Sequence, residues 1–243
     1  MAQMHIVTPD KVSNKSWKRV EDFAFASKRN MIPVVAGEVA KLALNLPLGF
    51  IKIDDKFVMV AITALQAGVN YFVLPDGRWF GDYVPAELAC HPFKMLQPQN
   101  HPTKVLCVDM QSDRIGEKGE GEEFFGADGK PSPALQEVTQ MLSQVDRNRE
   151  ATQVAIEALA AAGLIKPWEL TIEIEKEDIP VLGIYCLDEV ALNNLPDSDF
   201  LTLRASKALP VAYSQLISMS QLNKLQQAMQ MHDNWNTPQQ TSN

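Results

Sequence analysis

The sequence predicts an α+β protein, a mixed and mainly antiparallel sheet built from hairpins and packed with several amphipathic helices. Two segments, residues 51–62 and 170–187, share one order: an alternating strand, a charged turn and a fuller apolar strand. Other stretches repeat apolar residues at three- and four-residue spacing, the longest of them opening at Ser132-Pro133. With 46% apolar and 21% charged residues among 243, the chain can bury a full core without disulfides or metal. It reads as one domain over 1–230, or as two lobes at 16–130 and 131–230, ahead of a disordered polar tail at 231–243.

Taken in order, Trp17, Val20 and Phe23 are spaced to share one helical face, so residues 17–25 form a docking segment. Residues 36–46 place Ala36, Val39, Ala40, Ala43 and Leu44 on one face of a short helix that Pro47 stops. Ile51 and Ile53 alternate with Lys52, Asp54-Asp55-Lys56 turns the chain, and 57–62 is apolar and rich in strand formers. Residues 70–74 read as a strand, and Asp76-Gly77 as a hairpin turn, since Gly accepts the positive φ required there. Trp79 and Phe80 begin the return strand.

Pro98 and Pro102 among Gln and Asn mark residues 94–103 as a loop before a brief strand at Val105, Cys107 and Asp109. Residues 116–129 are acidic, Gly-rich and assigned to the surface. Ser132 is an N-cap and Pro133 the first helical residue, a position where a missing amide removes nothing. Leu135, Val138, Leu142 and Val145 form its apolar stripe, which continues through Val154, Ile156 and Leu159 to Gly163, with a break at 146–148. Leu170, Ile172 and Ile174 alternate with Thr171, Glu173 and Glu175 as a half-buried strand, and 181–187 completes the second hairpin. Ser218 with Gln221 forms a capping box ahead of Leu222, Leu225 and Met229.

The net charge of -8, with scattered Lys and Arg, argues against a nucleic-acid partner, because phosphates are met by a basic face. Cys90, Cys107 and Cys186 lack CxxC spacing and fit a reducing, cytoplasmic compartment. The N-terminus carries no secretory pattern, and the longest apolar run, 57–65, falls short of the roughly 20 residues a membrane helix needs. A cell-surface location would need a route without a classical signal peptide.

No cofactor or metal is expected. Cys90, His91, His101 and Cys107 have no recognised ligand spacing, and the cysteines read as small buried hydrophobes. Glycines 116, 119 and 121 are crowded by Glu117, Glu120, Glu122 and Glu123, which repel phosphate. Arg78, Trp79 and Tyr83 suit an aromatic pocket for a sugar ring or peptide side chain; alternatively Trp79 is core and Arg78 pairs with Asp82. Met219, Met229 and Met231 either fill core gaps or form an adaptable peptide groove.

The block at 70–93, NYFVLPDGRWFGDYVPAELACHPF, resembles the signature of the bacterial SapC family: an aromatic strand, a DGRW turn, a YVPA segment and a closing PF. The resemblance extends to VVAGE at 34–38, CVD at 107–109, FFGADGKPSPAL at 124–135, AAGLIKPW at 161–168 and LGIYCLDEVALNNL at 182–195. Where the family often has basic residues before PF, this chain has Ala89, Cys90 and His91. The resemblance implies a soluble protein, unlike the peptide-transport permease of the same name, with a name linked to surface layers and no agreed enzymatic activity. It also implies an accessory role beside flavin-dependent halogenases or cupin-like oxygenases. The expected function is non-catalytic binding of a protein or peptide partner, with Arg78, Trp79, Tyr83, His91 and Asp109 as ligand-binding residues. Two alternatives stand: an enzyme with a site assembled near Tyr83, His91 and Asp109, and a surface-layer-associated component.

Overall fold

The structure, a computed structural model, describes residues 3–99, 101–174 and 177–236. Two compact units interleave along the chain: a smaller one, Met1–Glu21 with Ala86–Arg147, and a larger one, Asp22–Pro85 with Asn148–Asn243. The smaller unit opens with β1 (Met4–Ile6), α1 (Pro9–Val12) and β2 (Lys15–Trp17). The larger follows with β3 (Met31–Pro33), α2 (Val39–Leu42), β4 (Leu48–Ile53) and β5 (Lys56–Ile62). The chain returns to the smaller for α3 (Ala86–Ala89), β6 (Phe93–Leu96), β7 (Val105–Asp109), β8 (Ile115–Glu117) and β9 (Glu122–Glu123). Helix α4 (Pro133–Ala161) carries residues of both units. The larger unit ends with β10 (Ile165–Pro167), β11 (Leu170–Ile174), β12 (Glu177–Val181), β13 (Ile184–Leu187), α5 (Glu189–Asn193), α6 (Asp197–Ala205), α7 (Ala208–Ser218) and α8 (Leu222–Asn236).

In the larger unit an antiparallel sheet runs β10-β13-β4-β5-β3. Its β4-β5 hairpin turns at Asp54 and Asp55, with φ of 47° and 62°. Two positive φ values in a two-residue loop are the geometry whose twist matches the flanking strands, and Asp tolerates it. Phe50, Leu48, Met59 and Ile62 from this hairpin are fully buried with Leu42, Phe72, Ile156 and Leu159. Burying each such side chain contributes roughly 1.5–3 kcal/mol, which makes the hairpin the anchor of this core.

The second hairpin differs from its predicted form. β11 pairs only with β12, from Leu170↔Val181 to Ile174↔Glu177, as a separate two-stranded sheet among the described residues. The chain then kinks at Gly183, whose φ of 82° interrupts the expected 181–187 strand. β13 continues as a distinct strand that joins the large sheet between β10 and β4. Leu170 and Ile172 are half-buried and Thr171 is exposed, as the alternation requires. The side chains of Glu173 and Ile174, and the whole of Glu175, lie outside the described residues.

The smaller unit contains the sheets β1-β7-β6 and β8-β2-β9. Trp17 stands edge-on to Phe93 at 5.0 Å, and Phe93 lies 6.0 Å from Phe124, in a core shared with Val12, Val108 and Leu142. Residues 17–25 form no continuous helix: Trp17 lies in β2, which is paired on both edges, and only a single 3-10 turn, Ala24–Ala26, follows, so ladder bonds override a weak 3.6-residue pattern. The acidic stretch expected at the surface supplies β8, β9 and the buried Phe124.

Ser132 caps α4 as expected, its Oγ accepting from the Leu135 amide at 3.1 Å, and Gly163 follows the helix at positive φ. No break occurs at 146–148, because no Gly or Pro interrupts Ala134 to Ala161. The predicted 36–46 helix contracts to α2 and following turns, and the predicted 70–74 strand contracts to one bridge, Val73↔Trp79. Ser218 closes α7 and does not cap α8: its Oγ accepts from the Leu48 amide at 2.9 Å and donates to the Gln215 carbonyl at 2.6 Å. Helix α8 extends through Asn236, past the expected start of the tail, and residues 237–243 lie outside the described residues. No described helix is long and apolar enough to cross a membrane.

Candidate functional site

The signature block begins at a tight turn. The Gly77 amide donates to Leu74 O and the Leu74 amide to Arg78 O, both at 2.8 Å, with Gly77 at φ 84°. Arg78 pairs with Asp76 at 2.6 Å, not with Asp82, and its side chain remains 73% exposed. The Arg78 amide, and after it the guanidinium, hold the Asp76 carboxyl below its usual range. Trp79 packs against Phe72 and Phe23 at 5.6 and 5.8 Å, and its Nε1 donates to Tyr83 O at 3.0 Å. The Tyr83 hydroxyl donates to Glu38 Oε2 at 3.3 Å, while Glu38 Oε1 accepts from the Val35 amide at 3.1 Å. The VVAGE and YVPA segments thus meet through a buried carboxylate. Lys41 Nζ lies 5.4 Å from the Tyr83 ring. These contacts are those of a structural framework, with Arg78 as its exposed edge.

The same block enters a groove through Tyr71, the residue before Phe72. Of about 520 Å³, this groove lies in the larger unit between residues 65–71, β11 and α8. Leu65, Leu170, Ile172, Leu222, Leu225 and Met229 give it apolar walls, and Gln66, Gln226, Gln230, Tyr71 and Thr171 supply polar groups. Leu222, Gln226, Met229 and Gln230 reach it together because residues three and four apart share a helical face. The Tyr71 hydroxyl donates to Gln66 Oε1 at 3.4 Å, and its ring lies 5.3 Å from that of His232. Burial, and then the Asp233 carboxylate, push its pKa up, so the hydroxyl keeps its proton. None of the described lining residues is charged. Primary amides both donate and accept, which suits the peptide groups of a bound chain, while the apolar walls suit its side chains.

His91 and Asp109 belong to the smaller unit, whereas Arg78, Trp79 and Tyr83 belong to the larger. Asp109 Oδ1 accepts from the Gln3 amide at 2.9 Å and the Gln111 amide at 3.1 Å. The Asp109 amide donates to Pro92 O at 3.0 Å, which ties the strand to the residue after His91. His91 Nε2 lies 2.9 Å from Ser112 Oγ, and burial lowers the imidazole pKa despite the opposing pull of Asp113 and Asp109. Ser112 Oγ also accepts from the Arg114 amide at 3.2 Å, so the hydroxyl is engaged in holding its own turn. Cys90 and Cys107 are buried in this unit, and burial raises the Cys107 thiol. Among the described residues no group of three or more His, Cys, Asp or Glu side chains is placed to hold a metal ion.

Of the methionines singled out in the sequence, Met229 lines the groove, Met219 packs on the core and Met231 is partly exposed. Sequence reasoning missed Gln66, Gln226, Gln230 and the β11 residues. The available signal was two glutamines four apart beside Leu222, Leu225 and Met229. No curated protein and no solved structure matches the chain. The family model described as SapC matches residues 8–225, nearly the whole length, and the chain therefore belongs to the SapC family.

Proposed function

We propose that the chain is a non-catalytic binding or accessory protein that holds a protein or peptide partner in the groove between β11 and α8. The observation that carries this is a groove whose described lining has no charge, with apolar walls and three primary amides. Such a lining favours a polyamide over a phosphate or a metal ion, each of which requires charged ligands. Three buried cysteines without a disulfide support a reducing, cytoplasmic setting for this partner.

Selection of a random peptide display library on the full chain tests the proposal. Enriched peptides are expected to bind wild type and to lose affinity to Gln226→Trp, which fills the groove from an exposed helical position, but not to Leu201→Ser on α6. Peptides that bind all three proteins equally would refute groove binding.

A further inference from the structure

We infer that the outer edge of β11 takes up an extended, positively flanked segment of a protein partner as an added strand. This rests on the groove being a peptide site and names how the peptide is held.

The first support is the backbone. In an antiparallel pair, opposite residues either exchange both amide–carbonyl bonds or turn these groups away from each other. Thr171 stands opposite Pro180, which has no N–H, so this position is a non-hydrogen-bonded one and the Thr171 amide and carbonyl face away from β12. Alternation gives Glu173 the same outward orientation of its backbone groups. Among the described residues no other strand pairs with β11, and no further backbone bond reaches Leu170, Thr171 or Ile172. The opposite edge of the hairpin is protected in the usual manner, since β12 carries Glu177, Asp178 and Pro180.

The second support is the position of the groove. Successive strand residues point to opposite faces, so a groove touching one face meets alternate side chains. This one touches Leu170, Thr171 and Ile172 in succession, as it must if it runs along the strand's edge. A segment added there would pair with Thr171, and its side chains would reach the apolar wall and the amides of Gln226 and Gln230.

The third support is charge. Glu169, just before β11, and Glu177 and Asp178 on β12 are exposed carboxylates, and Asp233 is close enough to raise the Tyr71 pKa. A groove whose described lining carries no charge, beside these carboxylates, favours a segment with an apolar centre and Lys or Arg ends. Edge pairing between two copies would instead bring these carboxylates together.

The test uses the full chain and an acetylated peptide of alternating Val and Thr flanked at each end by Lys. N-methylation of one alternating set of peptide amides should weaken binding about tenfold per lost bond, while methylation of the other set is tolerated. Thr171→Pro, which removes an amide that β12 does not use, should weaken the unmethylated peptide similarly, and Glu-flanked peptide should bind less than the Lys-flanked one. If Thr171→Pro does not fold, the N-methyl series on the wild-type chain decides alone. Binding that is blocked by Gln226→Trp yet indifferent to N-methylation would overturn strand addition and leave the groove as a peptide site. Equal binding of Glu- and Lys-flanked peptides would overturn the charged character of the partner. A concentration-dependent dimer that Thr171→Pro abolishes would assign the edge to a second copy and overturn the inference. Failure of every peptide, with no peptide enriched in the display selection, would overturn both this inference and the groove function on which it rests.

Discussion

Replacing Gln215 by Leu should destabilise the larger unit by several kcal/mol, because its amide stands in for rungs missing from the sheet. β13 and β4 pair at Ile184↔Ile51 and Tyr185↔Phe50, so the same register would bring Leu187 opposite Leu48. The strands do not pair there. Instead Gln215 of α7, fully buried, accepts from the Leu187 amide at 3.0 Å and donates to the Leu48 carbonyl at 3.1 Å. Leu has nearly the same volume but would leave two buried backbone groups without these partners. Each unsatisfied group costs about 1–3 kcal/mol, giving about 2–6 kcal/mol in all. A loss of about 3 kcal/mol lowers Tm by roughly 6–12 °C in a body of this size. Ser218, bonded to the Leu48 amide, shares this site, so Gln215→Leu and Ser218→Ala should not add. Urea and thermal unfolding followed by circular dichroism measure the loss. A Gln215→Leu variant within about 0.5 kcal/mol of wild type, the range of an ordinary surface change, would refute the account of the spliced sheet edge.

Gly77→Ala should destabilise by about 1–2 kcal/mol, read from the shift in urea midpoint, since its φ of 84° disfavours any side chain and the new Cβ would lie 2.8 Å from Asp22 Cβ. Phe124→Ala should cost about 3–5 kcal/mol, measured by chemical unfolding, because the ring is 1% exposed in a core that holds few large side chains. The His91 pKa is lowered by burial, so above the ordinary value of 6.5 the imidazole is neutral in both folded and unfolded chains. As pH falls through 6.5, the unfolded chain takes up the proton first and stability drops until the folded pKa is reached. Urea midpoints across this window should fall less steeply in His91→Gln than in wild type, and identical slopes would contradict the burial of this imidazole.

Legibility in the sequence followed how local the determining interactions are. The Asp54-Asp55 turn, the Ser132 cap, the Gly163 stop and the Asp76-Gly77 turn are specified within a few residues and were readable. The 181–187 segment reads as one strand because an apolar run does not reveal a kink, and the strand after Gly183 is fixed by partners at 50–51 and 165–167. Trp17 reads as part of a helical face in the sequence alone, since its two flanking strands lie about a hundred residues away in the chain. The signature block was visible, but the packing around it was not. Trp79 and Tyr83 are engaged by Phe72 and Glu38, while the groove takes Tyr71 from the block and glutamines from a helix some 155 residues later. Exposed glutamines on a helix resemble any solvated face until the tertiary fold sets a strand opposite them.

The ten methionines offer the most direct measurement of groove binding. With methyl-labelled methionine, NMR titration by a display-selected peptide should move the Met229 signal, which lines the groove. The signals of Met95, Met110 and Met141, all in the smaller unit, and of the buried Met59 should stay in place. Saturable binding that shifts the smaller-unit methionines and leaves Met229 unmoved would contradict the assignment of the partner site to the groove.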